Sequence, residues 1–301
     1  MAIEVLPVTN TIGAEVRGVD LRTCSDEEFE TVRRALHMHQ VIFLRGAALS
    51  PDDHLAVARR FGTPSIFPIS RLRGATEPSL QVISDGPDSP PTAEMWHTDL
   101  TWIATPPRYA LLCGEVIPAA GGDTLWASMT AAYEALSPTM QEILAGLEVE
   151  HTTDSFVDSI LGRGGHSSEA QDLADQLKMA YPRVVVHPLV RTHPENGRRI
   201  LFIGGPSRDR IKGLRRVESD ALLGFLAHHV ADERFQCRWR WSAGDLAIWD
   251  ERSTMHRAAA DHFPQHRTVR RIEIDGDRPY FDPDAHPTAA VPEPDRSRLS
   301  A

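Results

Sequence analysis

Cysteine is scarce in this sequence. Only Cys24, Cys113 and Cys237 are present, far apart and odd in number. Without a Cys-x-x-Cys pair, neither a thiolate zinc site nor a disulfide framework is supported, and a reducing cytoplasm is the expected setting. Long apolar runs are missing as well. None approaches the ~18 residues of a membrane span, and "MAIEVLPVTN" lacks the basic-then-apolar order of a secretory leader. Basic charge is in deficit: 32 Lys and Arg against 42 Asp and Glu give a net charge of −10, a poor basis for binding nucleic acid. No Gly-x-Ser-x-Gly elbow is present, which argues against an α/β-hydrolase. "LGRGGHS" has the wrong spacing and context for a dinucleotide-binding fingerprint.

What remains is an ordinary globular composition, 41% hydrophobic and 25% charged over 301 residues, enough to bury a substantial core. "IEVLPV", "IGAEVRGVDL", "VIFLRG", "RYALLCGEVI", "GDTLWAS", "QCRWRW", "DLAIWD" and "TVRRIEID" read as strands. "RVVVHPLVRTHPENGRRILFI" reads as a hairpin turning at residues 194–197. Helices begin at Ser25, with a Ser-x-x-Glu capping box, and at Ser50-Pro51. Further helical patterns are "MTAAYEALSPTMQEILAGLEVEH", interrupted at Ser137-Pro138, and "ESDALLGFLAHHVADE". Residues 154–180 are polar and Gly-containing, and are expected as a loop or lid. The tail, 282–301, is expected to be disordered, leaving 1–281 as a single catalytic domain. Many strands with turn signals and no βαβ alternation predict a mainly β fold with added helices, a sandwich or jelly roll.

Chemistry first surfaces in "AEMWHTDLTW", residues 93–102. On an extended stretch His97 and Asp99 project from one face and can approach one ion, as in the 2-His-1-carboxylate triad of non-haem iron oxygenases. With fourteen histidines in the chain, two ligands decide nothing without a third. "AGDLAIWDERSTMHRAAADHFPQHRTVRRIEI" offers His256, with Arg267 eleven residues on and Arg271 four beyond. A metal holding one end of an anionic cosubstrate, with a guanidinium gripping its far carboxylate, is a sensible arrangement. Thr124, in "GGDTLW", can add a hydrogen bond to that carboxylate.

"WHTDLTW", "GGDTLWAS", "WRWSAGDLAIWDERSTMHRA" and "DHFPQHRTVRRIEIDGDRPY" closely resemble the taurine/2,4-dichlorophenoxyacetate dioxygenase family. Order and spacing agree over about residues 5–281. The resemblance implies a double-stranded β-helix, a form of jelly roll, and dependence on Fe(II), 2-oxoglutarate and O2. It implies iron at His97, Asp99 and His256, the distal carboxylate of 2-oxoglutarate on Thr124 and Arg267, and an anionic group of the prime substrate on Arg271. The reaction it implies couples oxidative decarboxylation of 2-oxoglutarate, to succinate and CO2, with hydroxylation of an organic substrate. In relatives this often leads on to C–O or C–S cleavage. Desaturation or oxidative decarboxylation in a biosynthetic pathway is the alternative from the same ligand set. Outside the enzymes, a noncatalytic jelly-roll binding protein is the alternative, although it would not require these groups. The family's habit also makes a homo-oligomer, dimer or tetramer, the expectation.

The groups that hold a small aminosulfonate in taurine dioxygenases are mostly absent. Phe67 stands where those enzymes have a histidine, Ser70 replaces a tyrosine, and Ala93 replaces an amine-binding asparagine. Phe156 and Leu100 match pocket-lining positions. The expected substrate is therefore larger and more apolar, with one negative group: an alkyl sulfate, an aryloxyalkanoate, a longer sulfonate or a similar carboxylate. Glu251 falls where many relatives have Asn, and the sequence offers no reason for it. Trp239 and Trp241 are expected in the core, and Trp249 either there or close to the iron.

Overall fold

The computed structural model describes residues 2–91, 93–163, 167–205 and 208–287. In chain order the strands are β1 (Glu4–Pro7), β2 (Ala14–Arg17), β3 (Val41–Leu44), β4 (Gln81–Asp85), β5 (Tyr109–Val116), β6 (Thr124–Ser128), β7 (Glu148–Thr152), β8 (Val184–Pro188), β9 (Val190–Thr192), β10 (Arg199–Leu201), β11 (Arg210–Ile211), β12 (Gln236–Trp239), β13 (Leu246–Asp250), β14 (Thr254–Ala258) and β15 (Arg267–Ile274). The helices are α1 (Asp26–His39), α2 (Pro51–Phe61), α3 (Pro68–Leu72), α4 (Met129–Glu134), α5 (Pro138–Leu144), α6 (Asp154–Arg163), α7 (Ser168–Ala180) and α8 (Arg216–Val230).

Seven strands form the major sheet in the order β1-β2-β3-β13-β5-β15-β4, and β12-β6-β14 form the core of the opposing layer. This is the jelly roll with added helices that the strand pattern predicts. The alternation along β13 shows how it packs. Ala247 and Trp249 point inward to Phe43, Trp126, Trp239 and Val269. Leu246 and Ile248 point outward to the apolar faces of α1 and α2, at Val32, Leu36, Val57 and Phe61. Both faces are dry, so the run reads apolar throughout. The two helices are capped as predicted, Ser25 with Glu28 and Ser50 with Asp53 each forming a reciprocal capping box.

Two expectations are corrected. The stretch holding His97 and Asp99 is not a strand: only His97 forms a bridge, and the chain turns at Asp99-Leu100, where Leu100 has φ of 51°. Residues 154–180 are not irregular. They fold as α6 and α7, with Ser167 capping α7 through Ala170 N. Ala170, Ala174 and Leu177, at helical spacing, form the buried edge of α7. The hairpin expected around residues 194–197 is the β9–β10 pair, with Thr192 opposite Arg199. Of the expected tail, residues 282–287 lie against this hairpin, where Asp282 N donates to Thr192 Oγ1 and Arg199 Nη2 to Pro283 O. Residues 288–301 lie outside the described residues. Among the described residues no helix is long and apolar enough to cross a membrane.

Candidate active site

His97 and His256 sit directly opposite each other and exchange both backbone hydrogen bonds, at 3.0 and 2.8 Å. Ala258 N donates to Ala93 O at 2.7 Å, so residues 93–97 run along the free edge of β14. Facing positions of a hydrogen-bonded pair bring their side chains together, and the two imidazole centroids are 4.3 Å apart. The turn after His97 carries Asp99 back between the rings. Asp99 Oδ1 lies 3.7 Å from His97 Nε2, and Oδ2 lies 3.7 Å from His256 Nε2. The bridge thus achieves what an extended strand was expected to do.

Donor chemistry fits a metal. Among the described residues these three side chains form the one group of His, Cys, Asp and Glu whose ligand atoms all fall within 4.8 Å of each other. Met95 O accepts from His97 Nδ1 at 2.7 Å, which leaves the Nε2 lone pair aimed at the cluster. Burial, reinforced by His97, pushes His256 down to about 3, so its imidazole is neutral and able to ligate. Burial alone would raise the Asp99 carboxyl. Arg271, His256 and His97 outweigh it and hold Asp99 at about 2, as an anion. Two neutral imidazoles and one carboxylate converging on one side of a point suit a divalent first-row metal with open coordination positions.

Strand β15 sets the second half of the site. Arg267, Val269, Arg271 and Glu273 share its inward face by strand alternation. Register with β4 places Asp85 opposite Arg267 and Gln81 opposite Arg271. Arg267 is buried; its Nε donates to Gly122 O at 2.9 Å and its Nη2 to Thr124 Oγ1 at 3.3 Å. Trp241 Nε1 donates to the same hydroxyl at 3.0 Å. A Cβ on Gly122, which has φ of 72°, would stand 2.9 Å from Arg267 Cδ. The glycine is what lets the guanidinium lie against the β6 entry. Asp85 Oδ2 lies 3.9 Å from Arg267 Nη1 and 3.5 Å from buried His262 Nε2. Thr124 and Arg267 are thus brought side by side by these hydrogen bonds. Asp85, His262 and Trp241 are neighbours that the sequence reading missed, because cross-strand register has no local signal.

Arg271 is mostly buried and heavily engaged. It donates to Asp99 Oδ2 and, at 3.0 Å, to Gln81 Oε1, and it lies 3.3 Å from Glu273 Oε1. Its guanidinium carbon is 5.9 Å from the ring centre of Phe67. The resemblance assigns Arg271 to an anionic group of the prime substrate. In the structure Arg271 meets a structural carboxylate, Glu273, and it also touches the metal-cluster aspartate. Glu251 acquires contacts too. Its buried carboxyl accepts from Trp249 Nε1 at 2.7 Å and from Asp99 N at 3.4 Å. Burial, with Asp99 and Glu273 alongside, raises the pKa of Glu251 well above the usual range. Trp249 itself lies against His256, centroids 5.1 Å apart.

An apolar cluster meets the site at Phe67, beside Arg271. Phe156, from α6, packs on Phe67 at 6.2 Å and on Trp102 at 5.0 Å between centroids. Leu100, Val157, Ala174 and Leu177 complete this cluster. Beyond Leu100 lies a groove of about 450 Å³ lined by Ile66, Leu72, Ile103, Ala180, Tyr181 and Val185, among others.

Residues 4–272 match the family described as Taurine catabolism dioxygenase TauD, TfdA family. The sequence is 36% identical over 289 residues to an alpha-ketoglutarate-dependent sulfate ester dioxygenase of Pseudomonas putida, covering 93% of this chain and 91% of that one. It is 33% identical over 290 residues to the alpha-ketoglutarate-dependent 2,4-dichlorophenoxyacetate dioxygenase of Cupriavidus pinatubonensis, covering 90% and 97%. A crystal structure of a taurine dioxygenase from Burkholderia xenovorans matches with a TM-score of 0.77 at 32% identity, over 95% of this chain and 94% of that one. The protein is thus an Fe(II)- and 2-oxoglutarate-dependent dioxygenase, an oxidoreductase that uses O2. Within that class the chain belongs to the TauD/TfdA family.

Proposed function

We propose that the enzyme hydroxylates an amphiphilic organic anion, with an alkyl sulfate ester as the first choice and aryloxyalkanoates or longer sulfonates as related substrates. The observation that carries this reading is the pairing of Arg271 with an apolar wall. Arg271 lies beside Asp99, with Phe67, where taurine dioxygenases have a histidine, 5.9 Å from its guanidinium, and Phe67 packs with Leu100 and Phe156 in one apolar cluster. That combination favours one negative group attached to an apolar body, and it leaves a small zwitterion such as taurine unsupported. The sulfate ester relative adds weight to the choice.

In this reading His97, Asp99 and His256 hold Fe(II), and Thr124 and Arg267 hold the distal carboxylate of 2-oxoglutarate. Bound there, the metal and cosubstrate supply the oxidising chemistry, and one O2 yields hydroxylated substrate, succinate and CO2. Protein groups position and insulate. Arg267 and Thr124 present a guanidinium and a hydroxyl to the cosubstrate carboxylate. Arg271 orients the substrate anion so that its adjacent C–H bond faces the cluster. The Phe67–Phe156–Trp102 wall excludes water. Hydroxylation at a carbon bearing a sulfate oxygen gives a hemiacetal that collapses to an aldehyde and inorganic sulfate.

The test is anaerobic loading with Fe(II) and 2-oxoglutarate, followed by oxygen and a substrate panel, with succinate and sulfate as readouts. Alkyl sulfates are expected to give equimolar succinate and sulfate. Taurine turnover at a comparable rate would overturn the substrate reading. The same proposal takes the enzyme to be a cytoplasmic homo-oligomer, dimer or tetramer, which sedimentation velocity checks.

A further inference from the structure

We propose that Glu251 is a positioning residue for the metal centre, bracing His256 and Asp99 through one buried carboxyl group. The inference rests on the reading of His97, Asp99 and His256 as the metal ligands. The two histidines of the cluster are supported unequally. His97 Nδ1 has the Met95 carbonyl at 2.7 Å. His256 Nδ1 is buried and has no hydrogen-bond partner. The carboxyl oxygen beside it is Glu251 Oε1, at 4.0 Å. An imidazole that ligates through Nε2 needs an acceptor for its Nδ1 proton, to fix ring orientation and strengthen the donor. Glu251 is placed to be that acceptor.

The same carboxyl contacts β13, the turn at Asp99 and, at longer range, β14. Oε1 accepts from Trp249 Nε1 at 2.7 Å, at the end of β13. Oε2 accepts from the backbone N–H of Asp99 at 3.4 Å, at the turn that aims the aspartate. Next to it, Oε1 faces His256 on β14. The Glu251 side chain has no solvent exposure, so no water shares these contacts from bulk. An amide cannot replace it fully. Glutamine has one acceptor oxygen, so it can serve either the Trp249–His256 side or the Asp99 N–H, and its amino group opposes a donor at the other.

The probe is Co(II), titrated into the metal-free full-length protein and followed by its visible absorption, with thermal unfolding of the metal-free proteins in parallel. Glu251→Ala is expected to raise the Co(II) dissociation constant by about 10- to 100-fold. Glu251→Gln is expected to fall between that and the unaltered protein. A purely structural role would lower the unfolding midpoint and leave Co(II) affinity of the folded protein unchanged. Affinity within twofold of the unaltered protein for a folded Glu251→Ala overturns the proposal. If that variant does not fold, unchanged affinity in Glu251→Gln overturns it. His256→Ala separates the two levels. If it abolishes binding while both Glu251 variants bind normally, only the role of Glu251 fails. If it too binds normally, the ligand assignment itself is wrong.

Discussion

The site has two unlike halves. One is carried by strands: His97 against β14, Thr124 on β6, and Arg267 and Arg271 on β15, each held by hydrogen bonds with partners fixed by sheet register. The other is carried by α3, α6, α7 and the 100–103 turn, and is held mainly by apolar contact, through Phe67, Leu100, Trp102, Phe156 and Leu177, with His187 bonded to Ile103 O at its edge. Rigid, hydrogen-bonded positions suit metal and cosubstrate chemistry, where small displacements are costly. Apolar helical packing tolerates volume change, which is where a family can alter what it accepts. The difference predicts that damage to the strand half removes the reaction, while damage to the helical half retunes it.

The largest effect should come from His97→Ala, Asp99→Ala or His256→Ala. Substrate-coupled succinate formation is expected to fall by on the order of a thousandfold or more, because every later step depends on the metal. Full coupled activity in any one of them would break the assignment of that ligand. Next in size are the two arginines. Arg267→Ala should weaken 2-oxoglutarate binding by about 100-fold, as for loss of a bidentate charged pair, with a smaller effect on the prime substrate. Arg271→Ala should do the reverse, by about 10- to 100-fold. Because Arg271 also pairs with Asp99, its loss should weaken metal binding as well. Equal effects of the two arginine variants on both ligands would erase the division of labour along β15.

These halves were also unequally legible in the sequence. The strand half announces itself in short apolar runs such as "DLAIWD", buried on both faces, and in Arg267 with Arg271 four apart on one face of β15. His-x-Asp and the later histidine could be joined only because the family resemblance supplied their pairing. Contacts made across strands were not legible. Arg267 meets Asp85 and Arg271 meets Gln81 through the β15–β4 register, which tertiary structure sets. Glu251 was unreadable for the same reason, since Asp99 and His256 reach it from other segments. The helical half was hidden differently. α7 buries only a narrow edge, Ala170, Ala174 and Leu177, and small residues in a polar run leave a faint helical period. Asp99-Leu100 turns where an extended chain was expected, since the single bridge at His97 suffices to bring both side chains to His256.

A smaller effect follows from the histidine that supports the helical half. His187, on β8, is paired through Nε2 with Ile103 O at 3.0 Å, at the end of the 100–103 turn. Burial depresses its pKa to about 4, with the neighbouring His151 and Arg191 adding to the fall. The unfolded chain takes up a proton near pH 6.5, and the folded protein resists until about 4. Its contribution to stability is therefore complete above pH 6.5 and is lost as pH falls toward 4, with no further loss below that. One pH unit below 6.5 the cost is about 1.4 kcal/mol. Urea melts at pH 7.5 and 5.5 should differ by at least that amount, because buried His54 and His256 are depressed in the same direction, and His187→Gln, which keeps a donor for Ile103 O but does not titrate, should reduce the difference by about 1.4 kcal/mol. An unchanged difference in the variant would mean that His187 is not the group responsible.

The smallest effect is the most informative about the comparison. Phe156 reaches the site only through ring contacts, with Phe67 at 6.2 Å and Trp102 at 5.0 Å, and has no part in holding metal or cosubstrate. Phe156→Ala removes apolar surface from the wall, which should raise KM for long-chain or aryl substrates by about three- to tenfold, corresponding to roughly 1 kcal/mol of lost burial. The 2-oxoglutarate dissociation constant should stay within about twofold, and short-chain anions should lose little, because they would not reach the ring. If 2-oxoglutarate binding weakened as much as substrate binding, the apolar wall would be acting through the strand framework. The two halves would then be one mechanical unit, and substrate preference could not be altered at α6 without disturbing the chemistry on β15.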